Sequence, residues 1–530
     1  MLFLGPQRKS VDRHTHLAHF DLIFRGFLTL ASASYYLPAA INRLIMVRKT
    51  QKKFVKRGEI LEIHIQDYAF GGKGIGRMSN EHGDFIVFVP NTLPGQYVKA
   101  QVKKVGKAYA ECKLLEVLRA SEDEIDVPYQ AIPGAPYIKL PIEKQHAYKK
   151  QSTFDLFKRI GKVKDIGSVF DEFVSSPGTF HYRNKMEYAF SAIGYDHELK
   201  KDIDEFTLGF KKRGTWWCGD DLKQDSGLFD KQLEDKLKLI KGHCKESGLP
   251  PWHGPRRKGF FRYLVVRKSF KTNQLLFNLV TTSEGLQKFN LQKFSKLLIT
   301  HFGNRVAGFL HTINDETGDR TIATSGDIRL IDGEDKIVEE LLGLSFEISI
   351  KSFFQTNPKS AEKLYEKVAA YALEQKEAID NTIVLDLFCG TGTIGQILAS
   401  KSENAEIVGV DIVESAIEDA RENASRNGIQ GVKFHAADVG KFLYEHPEYK
   451  GKIRTIILDP ARAGIAPKTL KKIIDLDAER MVYVSCNPAT QARDIEQLAL
   501  AGYSIKKFSL VDQFPHTSHV EVVALLELTR

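Results

Sequence analysis

Two residues near the end of the chain have side chains suited to covalent chemistry. Cys486 stands in VYVSCNPAT, directly after an apolar run, and Glu521 stands in DQFPHTSHVEVV, 35 residues further on. A thiolate that adds to an electrophilic carbon, followed by a base that removes a proton, is the equipment of nucleophilic catalysis. Glu521 lies among apolar residues, where burial raises a carboxyl's pKa toward neutrality and makes it a usable base. On spacing alone His516 and His519 compete for that role, and Glu521 also reads as a strand-edge acid satisfied by a nearby cation.

Upstream, VLDLFCGTGTIG sets Gly390, Gly392 and Gly395 in GxGxxG spacing between a strand and a helix. Such a loop turns tightly and lets its backbone approach a cofactor. Asp411 in IVGVDI follows Gly390 by 21 residues, where an acid accepts ribose hydroxyls, and Asp438 in HAAD closes the next strand, where an adenine edge would lie. Asp459 in ILDPARAG ends the fourth strand, and Cys486 ends the fifth.

The glycine loop alone would serve a dinucleotide equally well. A thiol at the fifth strand has no use in nicotinamide chemistry but suits pyrimidine methylation. Carbon 5 of uracil is too weak a nucleophile to take a methyl group from a sulfonium unaided. Thiolate addition at carbon 6 makes carbon 5 an enolate carbon, and a base must later remove its proton. Cys389, inside the glycine loop, is read as a packing residue, and Cys112, Cys218 and Cys244 as structural.

These groups need a scaffold, and from residue 346 onward apolar strands alternate with helices. This predicts a mostly parallel, doubly wound α/β sheet with its later strands as an antiparallel edge, and ligands at the carboxyl ends of the strands. Residues 119–345 read as an α+β region whose Arg and Lys interleave with aromatics, a composition suited to RNA. Between 52 and 118, short glycine-punctuated strands predict a small closed β-barrel of the OB-like type. Its Lys103, Lys104, Lys107 and Tyr109 read either as a surface for a backbone and a base or as a solvated charged face.

Residues 1–45 are expected to be a poorly ordered extension ahead of Met46. Their apolar run is broken by Arg25 and Arg43, leaving it too short for a membrane helix, and Asp12 and Asp21 spoil a transit peptide. At 530 residues the chain should hold more than one domain. Its 76 Lys and Arg against 67 Asp and Glu leave a net charge of +9, the sign expected of a phosphate-backbone binder. Five scattered cysteines with no CxxC pair argue against a disulfide framework or a zinc site, so a reducing, cytoplasmic compartment is expected, with no membrane partner.

Together, SFFQTNP at 352–358, DLFCGTGTIG, DPARAG, SCNPATQARD and DQFPHTSHVE resemble the RNA uracil-5-methyltransferase family over the whole catalytic region. The resemblance implies a Rossmann-like domain dependent on S-adenosyl-L-methionine, with Cys486 as nucleophile and Glu521 as base. It places the cofactor contacts on Gln355, Phe388, Gly390, Asp411, Asp438 and Asp459. The segment 56–118 resembles the TRAM module of the ribosomal RNA branch, absent from the bacterial tRNA enzyme. Together with DPARAG and the central segments HYRNKMEYAF and TLGFKKRG, this implies large-subunit ribosomal RNA as substrate and a monomeric enzyme.

Many members of that family hold an iron–sulfur cluster on four cysteines. Here Val127, Pro133, Pro136 and Ser226 stand at the matching positions, so no cluster is expected. The rival readings are a transfer RNA uracil-5-methyltransferase, a cytosine-5 or exocyclic-amine methyltransferase, an oxidoreductase, and a non-catalytic RNA-binding ribosome-assembly factor.

Overall fold

Period-two burial builds the N-terminal sheet. In the strand Gly83–Pro90, Phe85, Val87 and Val89 are buried while the residues between them are half-exposed, as expected of a strand with one dry face. A computed structural model of the protein describes residues 55–80, 83–318, 320–321, 327–374, 382–402 and 405–529. The expectation for residues 1–45 lies outside them.

The first sheet has six strands in the order Ile60–His64, Tyr97–Val105, Tyr109–Arg119, Gly83–Pro90, Lys73–Asn80 and Asp67–Ala69. It curls around Leu61, Ile63, Val87, Val98 and Val102. A Cβ at Gly76 would lie 2.4 Å from Ile63, so glycine there lets the two ends of the sheet approach. Ile60–His64 and Lys73–Asn80 share no ladder among the described residues, so the sheet does not close into a hydrogen-bonded barrel there.

The central sheet runs Gly219–Asp221, Lys201–Lys211, Lys185–Asp196, Phe261–Lys268, Leu275–Thr281, Val306–Ile313 and Ile328–Gly333. Neighbours are antiparallel except Leu275–Thr281 with Val306–Ile313, whose crossover is the helix Leu291–Phe302. One face packs Phe277, Phe294, Phe302 and Phe309 into a core of its own. The other contributes Tyr263, Val265, Leu276 and Val280 to a core shared with the hairpin Lys336–Leu341/Leu344–Ser349, the helix Pro358–Ala372 and the C-terminal sheet.

That last sheet has eight strands, in the order Val432–Ala436, Glu406–Asp411, Ile383–Leu387, Ile453–Leu458, Arg480–Ser485, Glu521–Leu528, Tyr503–Val511 and Phe170–Val174. The first five are parallel, in agreement with the α/β expectation. Two details differ from the sequence-based reading. The antiparallel strand Glu521–Leu528 lies inside the sheet, between Arg480–Ser485 and Tyr503–Val511, not at its edge. The edge is instead Phe170–Val174, from the stretch assigned to the central region, and the helix Ile142–Arg159 packs against Pro488–Leu500 of the same layer. No described helix is long and apolar enough to cross a membrane.

A cleft at the carboxyl ends of the C-terminal strands

After Ile383–Leu387 the chain turns through Phe388 (φ 65°), Gly390 (φ 53°) and Gly392 (φ 68°) into the helix Thr393–Lys401. The amides of Phe388 and Cys389 both donate to the Val410 carbonyl, at 2.8 and 3.2 Å. At Gly392 a Cβ would stand 2.5 Å from the Phe434 ring, so only glycine fits under it, whereas no atom lies within 4 Å of the same point on Gly390. The loop is thus tight on its protein side and open on the other, as a cradle for a ligand should be.

The acids expected beside this loop help to shape it. Asp411 accepts from the Gly390 amide at 3.0 Å and the Val413 amide at 2.9 Å. Asp438 caps the helix Val439–Glu445 by accepting from the Lys441 amide at 2.9 Å. Beneath them Asp386 is fully buried, accepts from the Gly395 amide at 2.9 Å, and is pushed up to about 7 by burial, with Asp411 adding to the rise. Asp386 was overlooked in the sequence; the signal was a lone acid inside the apolar strand IVLDL.

The second half of the cleft gathers the reactive groups. The ladder pairs Val522 with Ser485, so Glu521 lies across from Cys486, one register step on. Asp459 follows the neighbouring strand Ile453–Leu458. Cys486 is half-buried and free of disulfide. Burial pushes its thiol up to about 11, Glu521 and Asp459 push the same way, and Arg462 opposes them. Burial likewise lifts Glu521 to about 8, with Asp459 adding and Arg462 opposing, and lifts Asp459 to about 7, with Asp386 adding.

Arg462 was also overlooked, although it sits inside the DPARAG motif. Its carbonyl accepts from Asn487 Nδ2 at 2.8 Å and Thr490 Oγ1 at 3.2 Å. Buried Asp494 accepts from the Ile465 amide at 2.9 Å and the Tyr483 hydroxyl at 2.8 Å. These bonds fix the DPARAG turn to the helix Pro488–Leu500, directly after Cys486.

The segment bearing Gln355 interlocks with the one leading to Glu521. Asn357 Nδ2 donates to the Gln513 carbonyl at 3.2 Å, and Gln513 Nε2 donates to the Asn357 carbonyl at 3.1 Å and to Gln355 Oε1 at 3.4 Å. Beyond it, buried Asp512 accepts from Lys149 Nζ at 2.6 Å and pairs with His146 at 2.9 Å. Burial opposes the ionisation of Asp512, yet Lys149 and His146 hold it below the usual carboxylate range.

Neither histidine is placed as a strong base. His516 is buried, in the left-handed region (φ 64°), and turned toward Gln145, whose Oε1 accepts its amide at 2.8 Å; its ring stacks on Phe180. Burial pushes both His516 and His519 down to about 4, so both are neutral at physiological pH.

Three parts of the chain meet at the rim. A Cβ on Gly72, in the first sheet, would lie 3.2 Å from Ser518 and 3.4 Å from the Tyr137 hydroxyl. Tyr137 in turn donates its amide to the His516 carbonyl at 2.9 Å. Of the barrel cations, Lys104 pairs with Glu111 at 3.6 Å.

At Val127, Pro133, Pro136 and Ser226, the positions that the resemblance matches to cluster cysteines, there is no thiol. Val127 packs onto the central core, and buried Ser226 donates its amide and hydroxyl to Glu234 at 2.7 and 2.9 Å. This donor set does not fit a thiolate-held cluster. No group of three or more His, Cys, Asp or Glu that could hold a metal occurs among the described residues.

Comparison with known proteins agrees with the fold. A methyltransferase-domain family model matches residues 379–513, and the TRAM-domain model matches residues 55–115. An uncharacterized RNA methyltransferase of Caldanaerobacter subterraneus subsp. tengcongensis is 36% identical, the match covering 89% of this chain and 99% of the relative. One of Clostridium tetani is 37% identical over 88% of this chain and 98% of its own length. Among solved structures, the tRNA (uracil-54, C5)-methyltransferase of Pyrococcus abyssi, bound to S-adenosyl-L-homocysteine, has 27% identity and a TM-score of 0.65, with 88% of this chain and 100% of that one covered. The chain therefore belongs to the RNA methyltransferases that join an N-terminal TRAM domain to a Rossmann-like methyltransferase domain.

Proposed function

We propose that this protein transfers a methyl group from S-adenosyl-L-methionine to carbon 5 of a uridine in RNA. The observation that carries the proposal is the register that sets Glu521 across from Cys486, beside a cradle of glycines and acids. The cluster fits a cationic donor. Burial and mutual repulsion raise Asp386, Asp459 and Glu521 together, and a positive charge among them would relieve all three. S-adenosyl-L-methionine would supply an electrophilic methyl group there, held along Phe388, Gly390, Asp411 and Asp438, with Gln355 and Asp459 near the reacting end.

The chain's own residues supply the rest. Cys486 first gives up its thiol proton to solvent; the thiolate Sγ then bonds to carbon 6 of the uracil, and the displaced ring electrons make carbon 5 nucleophilic. Once carbon 5 has gained its methyl group, the Glu521 carboxylate takes the proton from carbon 5. The electrons of that C–H bond re-form the ring double bond, and the C–S bond breaks to return the thiolate. A carboxyl near 8 is a far stronger base than one at 4.5, which suits proton removal from carbon. The target base must leave its stack to reach Cys486, so the RNA is held by all three parts at the rim.

For the substrate we favour large-subunit ribosomal RNA, on the TRAM module and the DPARAG motif. Transfer RNA is the second reading, favoured by the full-length likeness to the Pyrococcus abyssi enzyme. The test is incubation with labelled S-adenosyl-L-methionine and unmodified ribosomal or transfer RNA, followed by nucleoside mass spectrometry. The expected product is 5-methyluridine, abolished in Cys486→Ala, with a covalent RNA complex accumulating in Glu521→Gln. Methylation that survives in Cys486→Ala would overturn the mechanism. Cofactor binding without transfer to any RNA would favour a non-catalytic assembly factor.

A further inference from the structure

All three tryptophans of the chain, Trp216, Trp217 and Trp252, lie in one patch beside the central sheet. Trp216 and Trp217 sit on the turn between Lys201–Lys211 and Gly219–Asp221, their rings 5.7 Å apart and edge-to-face. The loop after Trp252 closes on them: a Cβ on Gly254 would come within 3.0 Å of the Trp216 ring and 3.2 Å of Trp217 Cβ. Two of the three indoles are committed. Trp217 Nε1 donates to Asp202 at 2.9 Å, and the Arg262 guanidinium lies 4.3 Å above the Trp252 ring. Trp216 is left 52% exposed, an expensive place for so large an apolar ring unless something covers it.

The surroundings say what would cover it. Arg256, Arg257 and Lys258 follow one another, exposed, on the loop that packs against Trp216. None of them takes part in an ion pair among the described residues. Of the nearby acids, Asp221 is paired with Lys241, Asp220 accepts from His197 at 3.1 Å, and Asp202 accepts from the Trp217 indole. A half-exposed indole flanked by unopposed cations matches an unpaired nucleotide, whose base stacks while its phosphates meet charge.

A short stretch of chain links the patch to the rim. Arg213 lies three residues before Trp216, at most about 11 Å of chain. Its guanidinium acts on the hydroxyls of Tyr68 and Tyr137, and Tyr137 lines the rim with Gly72 and Ser518.

We propose that Trp216 is a base-stacking platform for a single-stranded segment of the RNA substrate outside the nucleotide to be methylated, with Arg256, Arg257 and Lys258 holding its phosphates. The proposal rests on the RNA-methylating role above and adds a second contact that selects among RNAs.

The experiment uses the full chain. A Trp217→Phe/Trp252→Phe variant leaves Trp216 as the only indole, and its fluorescence is followed on addition of a short unstructured RNA oligonucleotide or a duplex of equal length. The expected result is quenching by the single strand and little by the duplex. Trp216→Ala should raise the Kd for single-stranded RNA and the KM for substrate RNA about tenfold with kcat unchanged, and Trp216→Phe should restore most of the loss. Replacing Arg256, Arg257 and Lys258 with glutamine should flatten the log–log salt dependence of binding by about two.

Wild-type Kd and KM in Trp216→Ala would overturn the platform while leaving the methylation mechanism intact. Quenching by single-stranded RNA in a protein that methylates nothing would do the reverse. No quenching by either RNA would overturn the platform in favour of a protein-docking patch.

Discussion

Replacing Glu521 with glutamine should abolish turnover and, at alkaline pH, make the protein more stable. The carboxyl is 4% exposed and is raised from an ordinary 4.5 to about 8, mainly by burial and secondarily by Asp459. An acid whose pKa is higher in the folded state binds more protons there than in the unfolded chain. Its contribution to stability is therefore fully present below about 4.5 and is lost as pH climbs to about 8. Moving a carboxyl from 4.5 to 8 costs about 5 kcal/mol at pH values above both, and about 4 kcal/mol of this accrues between pH 5 and pH 8.5.

Asp459 shares the same pocket, and some water will enter when Glu521 ionises, so an advantage of about 2–4 kcal/mol is expected for Glu521→Gln at pH 8.5 relative to pH 5. Thermal unfolding of wild type and variant at the two pH values measures it as a difference between differences, which cancels the effect of overall charge. A midpoint advantage equal at both pH values, or a variant less stable only at pH 8.5, would refute the assignment of a strained, buried carboxyl.

Lys149→Met strands Asp512 in the interior without its cation, and urea titration should show a loss of about 3–5 kcal/mol, largely recovered in Lys149→Met/Asp512→Asn. Gly392→Ala drives a methyl group into Phe434 at a left-handed φ, so a loss of about 1–3 kcal/mol and weaker cofactor binding are expected from calorimetry. S-adenosyl-L-methionine should bind more tightly as pH rises from 6 to 9, because its sulfonium meets acids that ionise in that window. S-adenosyl-L-homocysteine, which lacks that charge, should show a much flatter profile in isothermal titration. Arg462→Met removes the cation opposing the rise of the Cys486 thiol, so alkylation by iodoacetamide at pH 8 should slow several-fold.

The glycine loop and the parallel strands were legible in the sequence because their signals are local. Gly392 and Gly395 stand where a strand becomes a helix, and the strands around them are short apolar runs bounded by turns. Cys486 and Glu521 were legible as types, but their apposition is a matter of register between strands 35 residues apart, which no window of sequence contains. His516 and Glu521 looked equally eligible in DQFPHTSHVE. The fold separates them, because positive φ and Gln145 turn the histidine toward the helix Ile142–Arg159 while the ladder turns the glutamate into the cleft. The edge strand Phe170–Val174 was hidden by its own composition: FDEFV is polar and alternates weakly, as a strand with one open edge can afford.

That edge strand bears on how the molecule comes to exist. Phe170 pairs with Phe508, so the last sheet cannot be finished until synthesis has passed Phe508. A segment emerging early must wait, unpaired, for partners more than three hundred residues behind it, and closing so long a loop slows the search. The C-terminal segment alone, begun at residue 346, would offer Tyr503–Val511 as a bare edge and leave the face of Pro488–Leu500 unprotected by Ile142–Arg159. Sequence boundaries and folding boundaries thus part company here: the sheet that begins at Ile383 takes its last strand, and the helix that covers Pro488–Leu500, from residues more than two hundred positions earlier.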